Sequence, residues 1–161
     1  MTRGTGLSVL KTITVRASQE RAFTVFATKM GTWWPVDHHI GDADFAEIVI
    51  EPHAGGRWFE RGQDGVECDW GRVLAYDPHD RFVLAWHLQG DWNYDPAPAR
   101  SSEIEVRFIP DGATTRVELE HRALERHGDS GEDILASVSS DNGWMLGLRA
   151  FAAAVSDAVE D

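Results

Sequence analysis

Alternation of apolar and polar residues runs through most of the chain and predicts a series of strands between helical ends. Residues 8–17 set Val9, Ile13 and Val15 against Lys11, Thr12 and Arg16, the period of a half-buried strand. Ser18 follows as a helix N-cap, with Arg21 at the third helical position and Glu20 favouring the dipole. Ala22, Phe23, Val25 and Phe26 then form one apolar face, so a helix runs to about Thr28 and ends at Gly31. Residues 31–35 predict a second short helix or turn closed by Pro35. A polar loop over 37–44 leads to a strand over 45–51 containing Ile48, Val49 and Ile50.

The second half continues the pattern. Glu51-Pro-His-Ala-Gly-Gly-Arg-Trp-Phe-Glu-Arg and Asp69-Trp-Gly-Arg-Val read as paired strands joined by a tight turn at Gln63-Asp64-Gly65. Gly55-Gly56 supplies a bend that other residues resist. After a turn at Asp77-Pro78-His79-Asp80, residues 81–88 place Phe82, Leu84 and Trp86 on one face. Residues 89–100 form the longest loop, with Trp92, Tyr94, Pro96 and Pro98. The cleanest hairpin joins residues 103–109 to 115–121 through Pro110-Asp111-Gly112. A short turn is expected over 134–138. Then Asp141 and Asn142 offer caps, and Trp144, Leu148, Phe151, Val155 and Val159 make one stripe on a helix of about five turns. The order is α+β: six to seven antiparallel strands, with two short helices after the first, curving around a long C-terminal helix.

Length and charge narrow the function. The 161 residues, 42% of them hydrophobic, suit a single domain spanning 1–161 with its core at about 8–159. A net charge of −12, with Lys11 and Lys29 as the only lysines, opposes nucleic acid and anionic membranes. No apolar run approaches a membrane span, nothing reads as a signal peptide, and the lone Cys68 permits no internal disulfide; these features predict a cytoplasmic protein. The 7 tryptophans are a high share for this length, and tryptophan either fills a core or lines a cavity.

Several segments together resemble the START-like (SRPBCC, helix-grip) superfamily. They are Gly55-Gly56-Arg57, Asp69-Trp70-Gly71-Arg72-Val73, Pro78 before Arg81-Phe82-Val83-Leu84-Ala85-Trp86, and Gly143-Trp144 before the last helix. Within it the chain is similar to small bacterial proteins related to the C-terminal domain of the heat-shock-protein-90 ATPase activator; Trp33-Trp34-Pro35 and Glu120-His121-Arg122 fit one bacterial branch. The resemblance spans about residues 8–159. It implies a seven-stranded sheet gripping the C-terminal helix around a deep pocket for apolar or amphipathic small molecules. Superfamily members bind lipids, carry polyketide intermediates or cyclise rings. The activator's own N-terminal domain has no counterpart in these residues, so ATPase activation is not carried over.

The candidate chemistry centres on Glu60. If Trp58 faces the helix, strand alternation turns Glu60 inward too, where burial raises a carboxyl pKa and suits it to acid, base or anchoring work. The alternative turns Phe59 inward and pairs Glu60 with an exposed arginine. The partner strand is ambiguous: one register aims Trp70, Arg72, Leu74 and Tyr76 inward, the other Glu67, Asp69, Gly71 and Val73. An inward Arg72 beside Glu60 would make a structural ion pair. His121 shares a face with Val117 and Leu119, and is either a hydrogen-bonded core residue or, with Glu60, half of an acid/base pair. His38-His39 lacks accompanying ligand spacing, so no metal is expected. Cys68, between Glu67 and Asp69, lacks the activation a nucleophile needs. No phosphate loop, dinucleotide fingerprint or nucleophile elbow occurs, so no cofactor is expected. The Trp92–Tyr94 loop is either a lid or partner surface, or is tucked on the sheet edge.

Three functions remain. The first is a small-molecule binder whose pocket is lined by Trp34, Trp58, Trp86, Trp144, Leu148 and Phe151, with Glu60 and His121 as polar anchors. The second is a cyclase or hydrolase using Glu60 and His121. The third is a co-chaperone-like or regulatory domain that docks a protein partner.

Overall fold

Seven strands pair antiparallel in the order β1-β7-β6-β5-β4-β3-β2 and curl into a half-barrel. A computed structural model describes residues 7–34, 41, 43–89, 93–141 and 143–157; Pro35, His38, His39, Trp92, Asn142 and Val159 lie outside them. The strands are β1 (Val9–Val15), β2 (Phe45–Ile50), β3 (Arg57–Gly62), β4 (Glu67–Asp77), β5 (Arg81–Trp86), β6 (Ser102–Asp111) and β7 (Thr114–Arg122). The helices are α1 (Gln19–Thr28), α2 (Met30–Trp33), α3 (Gly131–Ser139) and α4 (Trp144–Asp157). This is the helix-grip α+β arrangement, with seven strands.

Local chemistry explains the element ends. The Ser18 hydroxyl accepts the Arg21 N–H at 3.1 Å, as the capping pattern predicts. Gly31 does not end α1, because the chain breaks at Lys29 and Gly31 lies inside α2. The β6–β7 turn is tighter than expected: Pro110 and Asp111 stay in the ladder opposite Thr115 and Thr114, and Gly112, at φ +65°, takes the turn. In place of the short turn at 134–138 stands α3, preceded by a 3-10 stretch over Leu124–Ser130.

The Gly55-Gly56 bend is a close approach of backbone. Gly55 has φ +87°, donates to the Val73 carbonyl at 2.8 Å, and Gly56 accepts from the Val73 N–H at 2.9 Å. A Cβ on Gly56 would sit 2.8 Å from the Glu51 Cβ. The loop is thereby pinned to β4.

Neither register proposed for β4 is the whole answer. Its pairing slips at Trp70, between Trp58↔Gly71 and Phe59↔Asp69, and again at Leu74, between Val73↔Leu84 and Ala75↔Val83. Each bulge inserts a residue and resets which side chains face inward. Trp70, Gly71 and Val73 are therefore all buried, Arg72 is partly exposed, and Leu74 is 47% exposed. Gly71 is required where it stands, since a Cβ there would lie 1.7 Å from the Ala85 carbonyl oxygen.

Helix α4 packs against α1, α2 and β1. Its stripe of Trp144, Leu148, Phe151 and Val155 is buried, and Phe151 meets Phe26 and Trp33 with ring centroids 4.9 and 5.6 Å apart. The outer face of the sheet carries an arginine–glutamate lattice, with Arg81, Arg107 and Arg122 all reaching Glu105.

Candidate functional site

The inner face of the sheet holds a continuous cluster of tryptophans. Trp58, Trp70 and Trp86 come from β3, β4 and β5, Trp33 from α2, Trp34 from just after it, and Trp144 from the start of α4. Centroids lie 5.3 Å apart for Trp58–Trp70, 5.6 Å for Trp70–Trp86, 5.9 Å for Trp86–Trp144 and 5.5 Å for Trp34–Trp70. Most pairs meet edge to face or tilted, the arrangement aromatic quadrupoles favour. All eight residues proposed for the pocket are buried on this side, Glu60 at 1% and His121 at 0% exposure.

Glu60 faces inward. Its Oε1 accepts the Trp70 indole N–H at 2.9 Å, and its Oε2 accepts the Gly41 N–H at 3.0 Å. Phe59 is buried as well, but on the outer face, where the Arg57 and Arg61 guanidinium groups cover its ring at 4.1 and 5.5 Å. Both side chains are thus buried, one on each face of the sheet. Arg72 makes no pair with Glu60; it approaches Asp69 at 3.6 Å.

His121 anchors a chain of hydrogen bonds with a fixed direction. The Trp144 indole N–H donates to His121 Nδ1 at 3.0 Å, which makes Nδ1 an acceptor. The ring proton then sits on Nε2, which donates to Ser102 Oγ at 2.8 Å. The Ser102 hydroxyl donates to His127 Nε2 at 2.8 Å, and His127 Nδ1–H donates to Gln89 Oε1 at 3.0 Å. Gln89 Nε2 ends the chain on the carbonyls of His87 and Arg100. Burial pushes the His121 pKa down to about 3, reinforced by His127. Burial also lowers that of His127 to about 4, with Arg100 and His87 adding to the effect. Both rings are therefore neutral near pH 7.

Glu60 and His121 share the inner face without being partners. Four strand steps of about 4.8 Å each separate β3 from β7 along the sheet. Trp70 and Trp86 stand between the two groups.

Sequence reasoning missed Ser102 and His127, and it aimed Trp70 inward in only one of the two registers weighed for β4, because the bulges mix the two. Ser102 precedes the alternating run of β6, and His127 sits in a 3-10 stretch with no periodicity to place it. Cys68, opposite Glu60, is half-buried and forms no disulfide. Among the described residues no group of three or more His, Cys, Asp or Glu side chains could hold a metal, and no helix is long and apolar enough to cross a membrane. A separate cleft of about 620 Å³ lies beyond the far end of the chain, lined by Gln89, Tyr94, Asp95, Arg100 and Asp133 among others. None of the residues proposed for the pocket lines it.

The family model described as Activator of Hsp90 ATPase homolog 1-like protein matches residues 16–156. The chain belongs to this family. No curated protein sequence matches it. Among solved structures it is similar to the anthrahydroquino-γ-pyrone synthase Txn09 complexed with SUM, with 40% identity, 91% of this chain and 95% of that one covered, and a TM-score of 0.65. It is similar also to CalC, a self-sacrificing resistance protein from Micromonospora echinospora, at 27% identity, 93% and 94% coverage and a TM-score of 0.67. A protein from Mesorhizobium loti shares the fold at 14% identity, 94% and 98% coverage and a TM-score of 0.68. Activator-like membership carries the START-like architecture that the sequence motifs implied.

Proposed function

We propose that this activator-like protein binds a small, planar, largely apolar molecule on the inner face of its sheet, against Trp34, Trp58, Trp86, Trp144, Leu148 and Phe151, with Glu60 and His121 as polar anchors. The observation that carries the reading is the cluster of six tryptophans enclosing two buried acceptors, each acceptor held by an indole N–H. A core needs volume; it does not need a carboxyl group and an imidazole among its rings. The rings are in contact, so entry parts them. Titration with a planar tricyclic probe such as anthraquinone, followed by tryptophan fluorescence, is expected to give saturable quenching at one molecule per chain. Absence of a saturable change ends the reading.

A second reading, cyclisation, is favoured by one observation: the 40% identity with a γ-pyrone synthase. Its substrate would be an ortho-hydroxyaryl ynone, whose phenolic oxygen adds to the alkyne and closes the pyrone without change in mass. Glu60 would hold the hydroxyl, since His121 lies across the cluster with both ring nitrogens already engaged. Chromatography with mass detection is expected to show an isomer formed faster than in buffer. Equal rates exclude it.

A further inference from the structure

Trp58 differs from its neighbours in one respect. Trp33 donates its indole N–H to the Val25 carbonyl at 3.0 Å, Trp70 to Glu60 at 2.9 Å, Trp86 to the Leu88 carbonyl at 2.9 Å and Trp144 to His121 at 3.0 Å. The Trp58 Nε1–H is buried with no acceptor among the described residues, and the whole side chain is 0% exposed. A buried donor left unpaired works against folding and is rare in native proteins.

We propose that the Trp58 indole N–H is a recognition donor for a neutral oxygen acceptor on the bound molecule, the carbonyl of a quinone, xanthone or γ-pyrone ring. The inference rests on the small-molecule reading above and names the chemistry that reading leaves open. A planar ring suits the surroundings, because Trp70 and Trp86 flank Trp58 at tilts of 48° and 56°. Gly71, which must lack a side chain, lays bare backbone beneath the Trp58 ring, 3.4 Å from its Cε3 to the position a Cβ would take. The acceptor is neutral because a buried anion needs a paired charge, and Trp70 and Trp86, the ring neighbours of Trp58, carry none.

The test compares xanthone with xanthene, which lacks only the carbonyl, on the full chain and on Trp58→Phe, by fluorescence titration. Wild type is expected to bind xanthone about tenfold more tightly, the ratio that corresponds to one good hydrogen bond. Trp58→Phe is expected to bind the two alike. A preference that survives in Trp58→Phe, or equal binding by wild type, overturns the inference and leaves the pocket standing. Binding of neither compound ends both. Isotope-edited infrared spectra of carbonyl-labelled xanthone on wild type give a readout that needs no variant. The carbonyl stretch of the bound molecule is expected below its position in an aprotic solvent, and a band at the aprotic position overturns the assignment.

Discussion

Pairing between β6 and β7 runs unbroken from Glu103↔Arg122 to Asp111↔Thr114, whereas β4 slips twice against its neighbours within eleven residues. Each half of the sheet presents a buried acceptor that holds an indole N–H, His121 on the regular half and Glu60 on the bulged half. A regular ladder fixes side-chain directions over several residues, so a chain of bonds of 2.8–3.0 Å can be assembled across it, from Trp144 through His121, Ser102 and His127 to Gln89. Bulges re-aim side chains one at a time. They bring Trp70, Gly71 and Val73 to the same face and gather three indoles in a small area, where the Trp58 N–H meets no acceptor among the described residues. On the regular half these donors are all paired within the protein; the bulged half retains one for something else.

The largest effect is expected from Gly71→Ala. Its Cβ would meet the Ala85 carbonyl oxygen, which belongs to backbone and cannot swing aside. Relief requires moving β4 off β5, and the loss is expected to exceed about 4 kcal/mol, in the range reserved for backbone strain and core disruption. Urea unfolding checks this, and a loss below about 1 kcal/mol would show that the bulged half adapts as a unit.

Ser102→Ala attacks the other half. It removes the partner of both His121 Nε2–H and His127 Nε2, two groups deep in the protein. At roughly 1–3 kcal/mol for each unsatisfied buried group, a loss of about 3 kcal/mol follows. The ring nitrogen shifts of His121 should report a single Nε2–H tautomer in wild type and a loss of that exclusivity in the variant.

Acid is expected to break the regular half through the same residues. The folded state depresses the His121 pKa from 6.5 to about 3, so the unfolded chain takes up the proton first. Stability is therefore full above pH 6.5 and falls as the pH drops toward 3, by about 1.4 kcal/mol per unit for this histidine. Over the two units down to pH 4.5 that is just under about 3 kcal/mol. His127, lowered to about 4, adds in the same direction. The glutamates held low by arginine, Glu67 and Glu105, lose their contribution only at lower pH, as the carboxylate range is crossed. Unfolding measured at pH 7.0, 5.5 and 4.5 tests the assignment, and a flat profile contradicts it.

The same contrast explains what was legible in the sequence. The β6–β7 hairpin and the stripe on α4 follow a strict period, and periodicity places them to within a residue or two. His121 was placed inward by its parity with Val117 and Leu119 because nothing interrupts that strand. On β4 parity fails, since each bulge changes it, and two candidate registers each describe part of the strand. Phe59 and Glu60 were inseparable for a different reason: the Arg57 and Arg61 stems bury the outer face almost as well as the core buries the inner one. The links Ser102, His127 and Gln89 lie 19 to 38 residues from their partners, a separation no local pattern encodes.

The smallest effect is the sharpest discriminator. Trp58→Phe and Trp144→Phe remove the same atoms from the same cluster, and the lost ring volume costs each about 1 kcal/mol at the usual price per unit of cavity. In Trp144→Phe the His121 Nδ1 also loses its donor, so the total is expected at about 2–4 kcal/mol. In Trp58→Phe the change removes a buried N–H that had no acceptor among the described residues, which offsets the cavity. The net change is expected within about 1 kcal/mol of zero. The comparison needs no ligand. Equal losses in the two variants would mean that the Trp58 N–H is satisfied in the free protein, and the difference between the two halves of the sheet would then be one of shape alone.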